Sequence, residues 1–134
     1  MKQNLRTNVS SEALEFLGPL IVLLDRGNAT YQRYMANGKA FLYAKILKDN
    51  NARIRQVVIE KSYLLPLDHQ PHVIELLTHI DVWYERWEAL DAKKAHALSD
   101  EFAFENEVTF PRASVDALRR LYVTLKTDSL RIDE

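Results

Sequence analysis

Between His72 and Leu90, the apolar residues Val73, Leu76, Leu77, Ile80, Trp83, Tyr84, Trp87 and Leu90 recur at three- and four-residue spacing. On a helical wheel they close into one contiguous arc, the pattern of an amphipathic helix with one side turned to a core. Asp81, Glu85 and Glu88 fall on the opposite side. Asp68 is placed to cap this helix, and Pro71 is tolerated because it falls in the first turn. The same period runs from Pro19 to Leu47, through Ile54, Val57, Val58 and Lys61, and through Val115, Leu118, Leu121, Tyr122 and Leu125 after Pro111.

Breaks are expected where the pattern meets residues that compete with helical backbone. Gly18-Pro19 predicts a break or kink, because proline inside a helix removes a hydrogen bond. Gly27-Asn28 and Asn37-Gly38 are further weak points, and Asp49-Asn50-Asn51 predicts a stop followed by a freshly capped helix. Ser10 or Ser11 is expected to cap the first helix, with Glu12 and Glu15 in its first turn and residues 1–10 frayed. Ser62 to Pro66 reads as a connector whose two leucines tuck into the core. Phe102-Ala-Phe104 and Val108-Thr-Phe110 alternate instead, which predicts an extended aromatic loop or short strands pinned against helices. The expectation is an all-α helical bundle of four to five helices in a single domain over residues 1–134. One irregular loop, from Glu101 to Phe110, closes one end.

Composition narrows the chemistry. The 134 residues are 47% hydrophobic and 28% charged, as in ordinary globular proteins, which argues against disorder. There are three glycines, four prolines and no cysteine, so disulfides, thiolate metal sites and cysteine nucleophiles are excluded. The longest apolar run, Phe16 to Leu24, is nine residues, well short of the roughly 20 that span a membrane. With Glu12 and Glu15 just before it and Asp25-Arg26 just after, it also fits a signal peptide poorly, and the expectation is a cytoplasmic protein. The net charge of −1 hides a split. Residues 1–67 carry ten Lys/Arg against five Asp/Glu, and residues 68–134 carry eight against fourteen. Complementary surfaces, within one fold or between subunits, account for such a split more simply than a nucleic-acid footprint.

Three groups are candidates for function. His72, Glu75, His79 and Arg86 form a polar stripe along one margin of the apolar arc, and imidazole with carboxylate suits a divalent metal. An i,i+7 pair of histidines nevertheless spans about 10.5 Å of helix rise, too far for easy chelation of one ion. The structural alternative has His79 stacked on Trp83 and Glu75 paired with His79 or His72. Lys45, Lys48, Arg53 and Arg55 follow an aromatic-rich stretch beginning at Tyr31, an interleaving used by single-stranded nucleic-acid binders. Core packing explains those aromatics equally, and a sequence pI near 6.4 argues against a dedicated nucleic-acid protein. Phe102, Phe104 and Phe110 are candidates for a protein interface, where aromatic residues are enriched. There is no P-loop, dinucleotide fingerprint or nucleophile elbow. The segments NNARIRQVVIEKSYLLP and LLTHIDVWYERWE resemble those of a small bacterial helical family, a resemblance that implies no activity. The expected function is a non-enzymatic interaction or accessory protein without cofactor, self-associating as a two-fold dimer or bound to a heterologous protein. Metal binding and nucleic-acid binding are the alternatives.

Overall fold

The computed structural model describes the backbone of residues 2–132 and the side chains of residues 9–130. Four α-helices follow in order: α1 (Lys2–Ala36), α2 (Phe41–Lys61), α3 (Gln70–Asp91) and α4 (Arg112–Ile132). Two short 3-10 turns, Ser62–Leu64 and Leu67–His69, connect α2 to α3. The chain is 79% helical, against about a third in an average soluble domain, and no strand occurs among the described residues. The fold is all-α. No helix among the described residues is long and apolar enough to cross a membrane.

Three expected interruptions are absent. α1 runs unbroken through Gly18-Pro19. Proline costs a helix roughly 3 kcal/mol, but Phe16, Leu17, Leu20, Ile21 and Leu24 are all buried on the core side around it. Pro19 itself is exposed, so the carbonyl it leaves unbonded lies on the water side. Tertiary packing on both sides of the proline outweighs the lost hydrogen bond. Ser10 and Ser11 do not begin a helix, because α1 is already helical from Lys2. Of the fraying expected over residues 1–10, the backbone from residue 2 is helical, and the side chains of residues 1–8 lie outside the described set.

The second absent break is at Asp49-Asn50-Asn51, which lies within the continuous α2. Asn50 is fully buried. Its Nδ2 donates to the Leu23 carbonyl at 2.8 Å, and its Oδ1 accepts from Arg26 at 3.1 Å. An amide that bonds across to α1 no longer competes for its own backbone, so the helix continues. Gly27 makes this approach possible, since a Cβ there would stand 2.8 Å from Asn50 Nδ2. Gly27-Asn28 therefore marks a close helix crossing, and α1 does not break there.

Where α1 does end, the turn chemistry is as read. Gly38 (φ +66°) and Lys39 (φ 54°) take left-handed conformations, and Lys39 N–H donates to the Tyr34 carbonyl at 2.8 Å, closing a Schellman-type cap. Pro71 occupies the first turn of α3 as expected, while Asp68 makes no capping bond and its carboxylate meets His69 instead. Of the two connector leucines, Leu65 is buried and Leu64 partly so.

The main core gathers residues from all four helices, among them Phe16 and Leu20 of α1, Ile54 and Val58 of α2, Val73, Leu76 and Ile80 of α3, and Val115 and Leu118 of α4. A second, aromatic core at one end joins Phe41, Ala44, Trp87 and Phe102, with Tyr34, Trp83, Leu90 and Phe104 packed around it. The Trp87 indole N–H donates to the Ala44 carbonyl at 3.1 Å. The Glu101–Phe110 segment is the extended aromatic loop expected, touching Ala40 through an isolated antiparallel bridge at Glu101. α2 has no side-chain cap. Instead, its Phe41 and Leu42 N–H groups donate to the carbonyls of Asp100 and Leu98 at 2.8 and 3.0 Å. The segment just ahead of the loop thus serves as the cap that α2 lacks.

Candidate functional site

The polar stripe of α3 is a partly solvated edge, with Glu75 and Arg86 exposed and His72 and His79 partly buried. His72 and Glu75 reach the start of α4, and His79 and Arg86 reach the segment that joins α3 to α4. Ser114, buried at the start of α4, stands between the first two: its hydroxyl donates to Glu75 Oε2, and His72 Nδ1 lies 3.0 Å from its Oγ. With the one hydroxyl proton given to the carboxylate, His72 must donate, which places its proton on Nδ1. One turn on, His79 Nδ1 donates to the Val108 carbonyl at 2.8 Å, and its ring meets Phe110 edge-on at 5.5 Å. With Nδ1 carrying a proton, the Asn106 amide goes to the His79 carbonyl at 3.2 Å. Arg86 pairs with Glu107. The stripe is a seam that ties residues 106–114 to α3.

This corrects the expected partners. His79 packs against Phe110, and Trp83 packs against Tyr84 and Phe104. Glu75 bonds Ser114. Ser114, Asn106 and Glu107 were not singled out in the sequence, because nothing in local spacing links them to α3. The only hint was Ser114 lying three residues after a helix-opening proline.

The arrangement also limits the chemistry. In a hydrolytic triad the histidine lies between serine and acid and takes the serine's proton. Here the serine lies between histidine and acid, donates its hydrogen bond to the carboxylate, and is buried. Nor do His72, Glu75 and His79 converge, since the first two meet at Ser114 and the third turns to the loop. No group of three or more metal-ligating side chains is assembled among the described residues. Titration calorimetry with zinc, nickel and manganese on chelator-treated protein is expected to give no micromolar site. A tight site abolished by His79→Ala would reverse that reading.

The basic candidates are largely neutralised. Arg55 pairs with Asp81 of α3 at 2.8 Å, Lys48 with Glu88, and Arg53 with Asp49 at 3.2 Å. The Arg53 hydrogen bond, with Arg26 behind it, holds the Asp49 carboxyl below its usual range. Lys48 also lies 4.2 Å from the Trp87 ring, and Lys45 lies 5.7 Å from that of Phe41. A phosphate backbone would have to displace carboxylates from three of the four. The basic first half and acidic second half of the chain thus meet at the α2–α3 contact.

The remaining feature is a cleft of about 860 Å³ between the Leu24–Met35 face of α1, the loop and the start of α4. Its volume is within the range of ligand and peptide sites. Ile54, Leu76 and Ile80 form its floor, and Trp83 and Phe104 line one wall. Tyr31, Met35 and Phe110 stand at its edge, 49%, 48% and 45% exposed. Beside them, Tyr34 donates to the Phe102 carbonyl at 2.6 Å, and burial, reinforced by Tyr31 and Glu101, pushes its phenol up to about 12. Of the interface candidates, Phe102 has no exposed surface and belongs to the aromatic core, Phe104 is partly buried, and Phe110 is open at the rim. No protein-family model, no curated protein and no solved structure matches the chain.

Proposed function

We propose that this is a non-enzymatic interaction protein that works by burying apolar surface against other protein chains, its own copy first. The observation that carries this reading is the rim of the cleft, where Tyr31, Met35 and Phe110 stand about half exposed around an apolar floor. His72, Glu75 and His79 are meanwhile bonded to Ser114 and to the Val108 carbonyl. Half-exposed aromatics and methionine over a preformed groove suit recognition of an apolar or amphipathic segment. The metal and nucleic-acid alternatives gain no comparable support from the positions of His72, Glu75 and His79 or of Lys45, Lys48, Arg53 and Arg55.

Self-association tests this directly. Light scattering coupled to size exclusion is expected to give a mass well above 15.6 kDa, persisting in 1 M salt, where the Debye length is only about 3 Å and surface charge is screened. A mass of one chain under both conditions would remove self-association and leave only a heterologous partner.

A further inference from the structure

His69 closes the second 3-10 turn, and His72 lies in the first turn of α3. Their rings stand 5.7 Å apart, centre to centre, and are inclined at 65°. Each ring spends its Nδ1 on an internal partner. His69 Nδ1 lies 3.0 Å from Asp68 Oδ1, and that bond holds the Asp68 carboxyl below its usual range. An ionised carboxylate only accepts, so the His69 proton sits on Nδ1. His72 Nδ1 donates to the Ser114 hydroxyl, whose own proton goes to Glu75. Both rings are thereby held with a lone pair on Nε2, the form in which imidazole ligates a metal. Neither Nε2 bonds a described residue, and neither is sealed from solvent as His96 Nδ1 is.

We propose that His69 and His72 form a two-histidine site for a divalent transition-metal ion of the zinc, nickel and copper group. The site is independent of the interaction reading, since neither ring lines the cleft. The separation of the rings is what a shared ion requires. With a metal–nitrogen bond of about 2.1 Å, an imidazole centre sits roughly 3.2 Å from zinc, so two rings at the tetrahedral angle stand about 5.2 Å apart. The observed 5.7 Å is slightly wider, and a small side-chain rotation closes the difference. The outer partners are those that orient a ligating histidine and raise its basicity: Asp68 directly, and Glu75 through Ser114. Their negative charge also offsets the positive end of α3, which opposes a cation there. Two imidazoles leave the other positions of the ion to water, so binding is weaker than in sites with three or four protein ligands. The site therefore falls outside the micromolar range in which calorimetry is expected to find nothing.

Nitrogen NMR spectra of the histidine rings test both the tautomers and the ion. Before metal is added, His69 and His72 should each show a protonated Nδ1 and an unprotonated Nε2. Zinc sulfate, titrated to millimolar concentration at slightly alkaline pH, should then shift both Nε2 resonances along one binding curve. His79 and His96 should stay where they are. His69→Ala should abolish the His72 response over the same range, and Asp68→Ala should weaken binding about tenfold. Asp68 is exposed and His69 only partly buried, so circular dichroism should show both variants as helical as the wild type. A proton on either Nε2 in the metal-free spectrum would overturn the arrangement. Two rings that respond with different midpoints, or a His72 response that survives His69→Ala, would overturn the shared ion. No response at millimolar zinc would overturn the site altogether.

Discussion

Phe102→Ala is expected to cost roughly 3–5 kcal/mol, the range for truncating a fully buried aromatic. Phe102 has no exposed surface, and its ring lies 5.0 Å from Phe41, 4.8 Å from Trp87 and 5.0 Å from His96. These ring neighbours are rigid and fill the space poorly once the phenyl is gone. Tyr34 holds the backbone carbonyl in place, so relaxation by loop collapse is also opposed. The loss should be uneven across the molecule. The Phe41 and Leu42 amides, bonded to carbonyls of the same segment, should exchange with solvent faster than amides in the middle of α1. Urea unfolding followed by circular dichroism measures the total, and residue-resolved hydrogen exchange measures its distribution. A loss under 1 kcal/mol would mean that the aromatic core repacks freely around the missing ring.

Gly27→Val should be nearly as damaging, at around 3 kcal/mol, from a steric conflict added to a broken polar contact. A Cβ at residue 27 meets Asn50 Nδ2 at 2.8 Å. The amide cannot swing aside cheaply, because it is buried and bonded to Leu23 and Arg26. Gly27→Ala separates the two opposing effects. Alanine gains up to about 1 kcal/mol of helix propensity, yet it displaces the amide, so the net should still be destabilising. Combining Gly27→Ala with Asn50→Ala should then cost less than the sum of the single changes. A double-mutant cycle that comes out additive would show that the two positions are not coupled.

These two positions also show how far the sequence could be read. Helical periodicity identified the α3 core face correctly, with Val73, Leu76, Ile80 and Trp87 buried, and the alternating phenylalanines marked the loop. Those signals are local. Gly27-Asn28 and Asp49-Asn50-Asn51 are local signals too, and they misled, because glycine and asparagine break helices when considered alone. The structure sets Gly27 and Asn50 against each other, and the same residues become the means by which α1 and α2 approach. Pro19 misled for a related reason, since its cost is outweighed by packing that no local window contains. The polar stripe was visible as a stripe, but its role was not. Its partners, Asn106, Val108, Glu107 and Ser114, lie 21 to 42 residues further along the chain. The cleft was not legible at all, since its lining comes from all four helices and the loop, far apart in the chain.

The capping of α2 by the 97–102 segment has a kinetic corollary. Nearly 60 residues separate Phe41 and Leu42 from the carbonyls that satisfy them, so closing that contact carries a loop-closure entropy that the α1–α2 hairpin does not. The helices α1, α2 and α3 can assemble first, with the loop and α4 laid across them after the rate-limiting barrier. Changes in residues 97–110 should then speed unfolding while leaving the folding rate almost untouched, giving φ-values near zero. Changes at the Gly27–Asn50 crossing should slow folding itself.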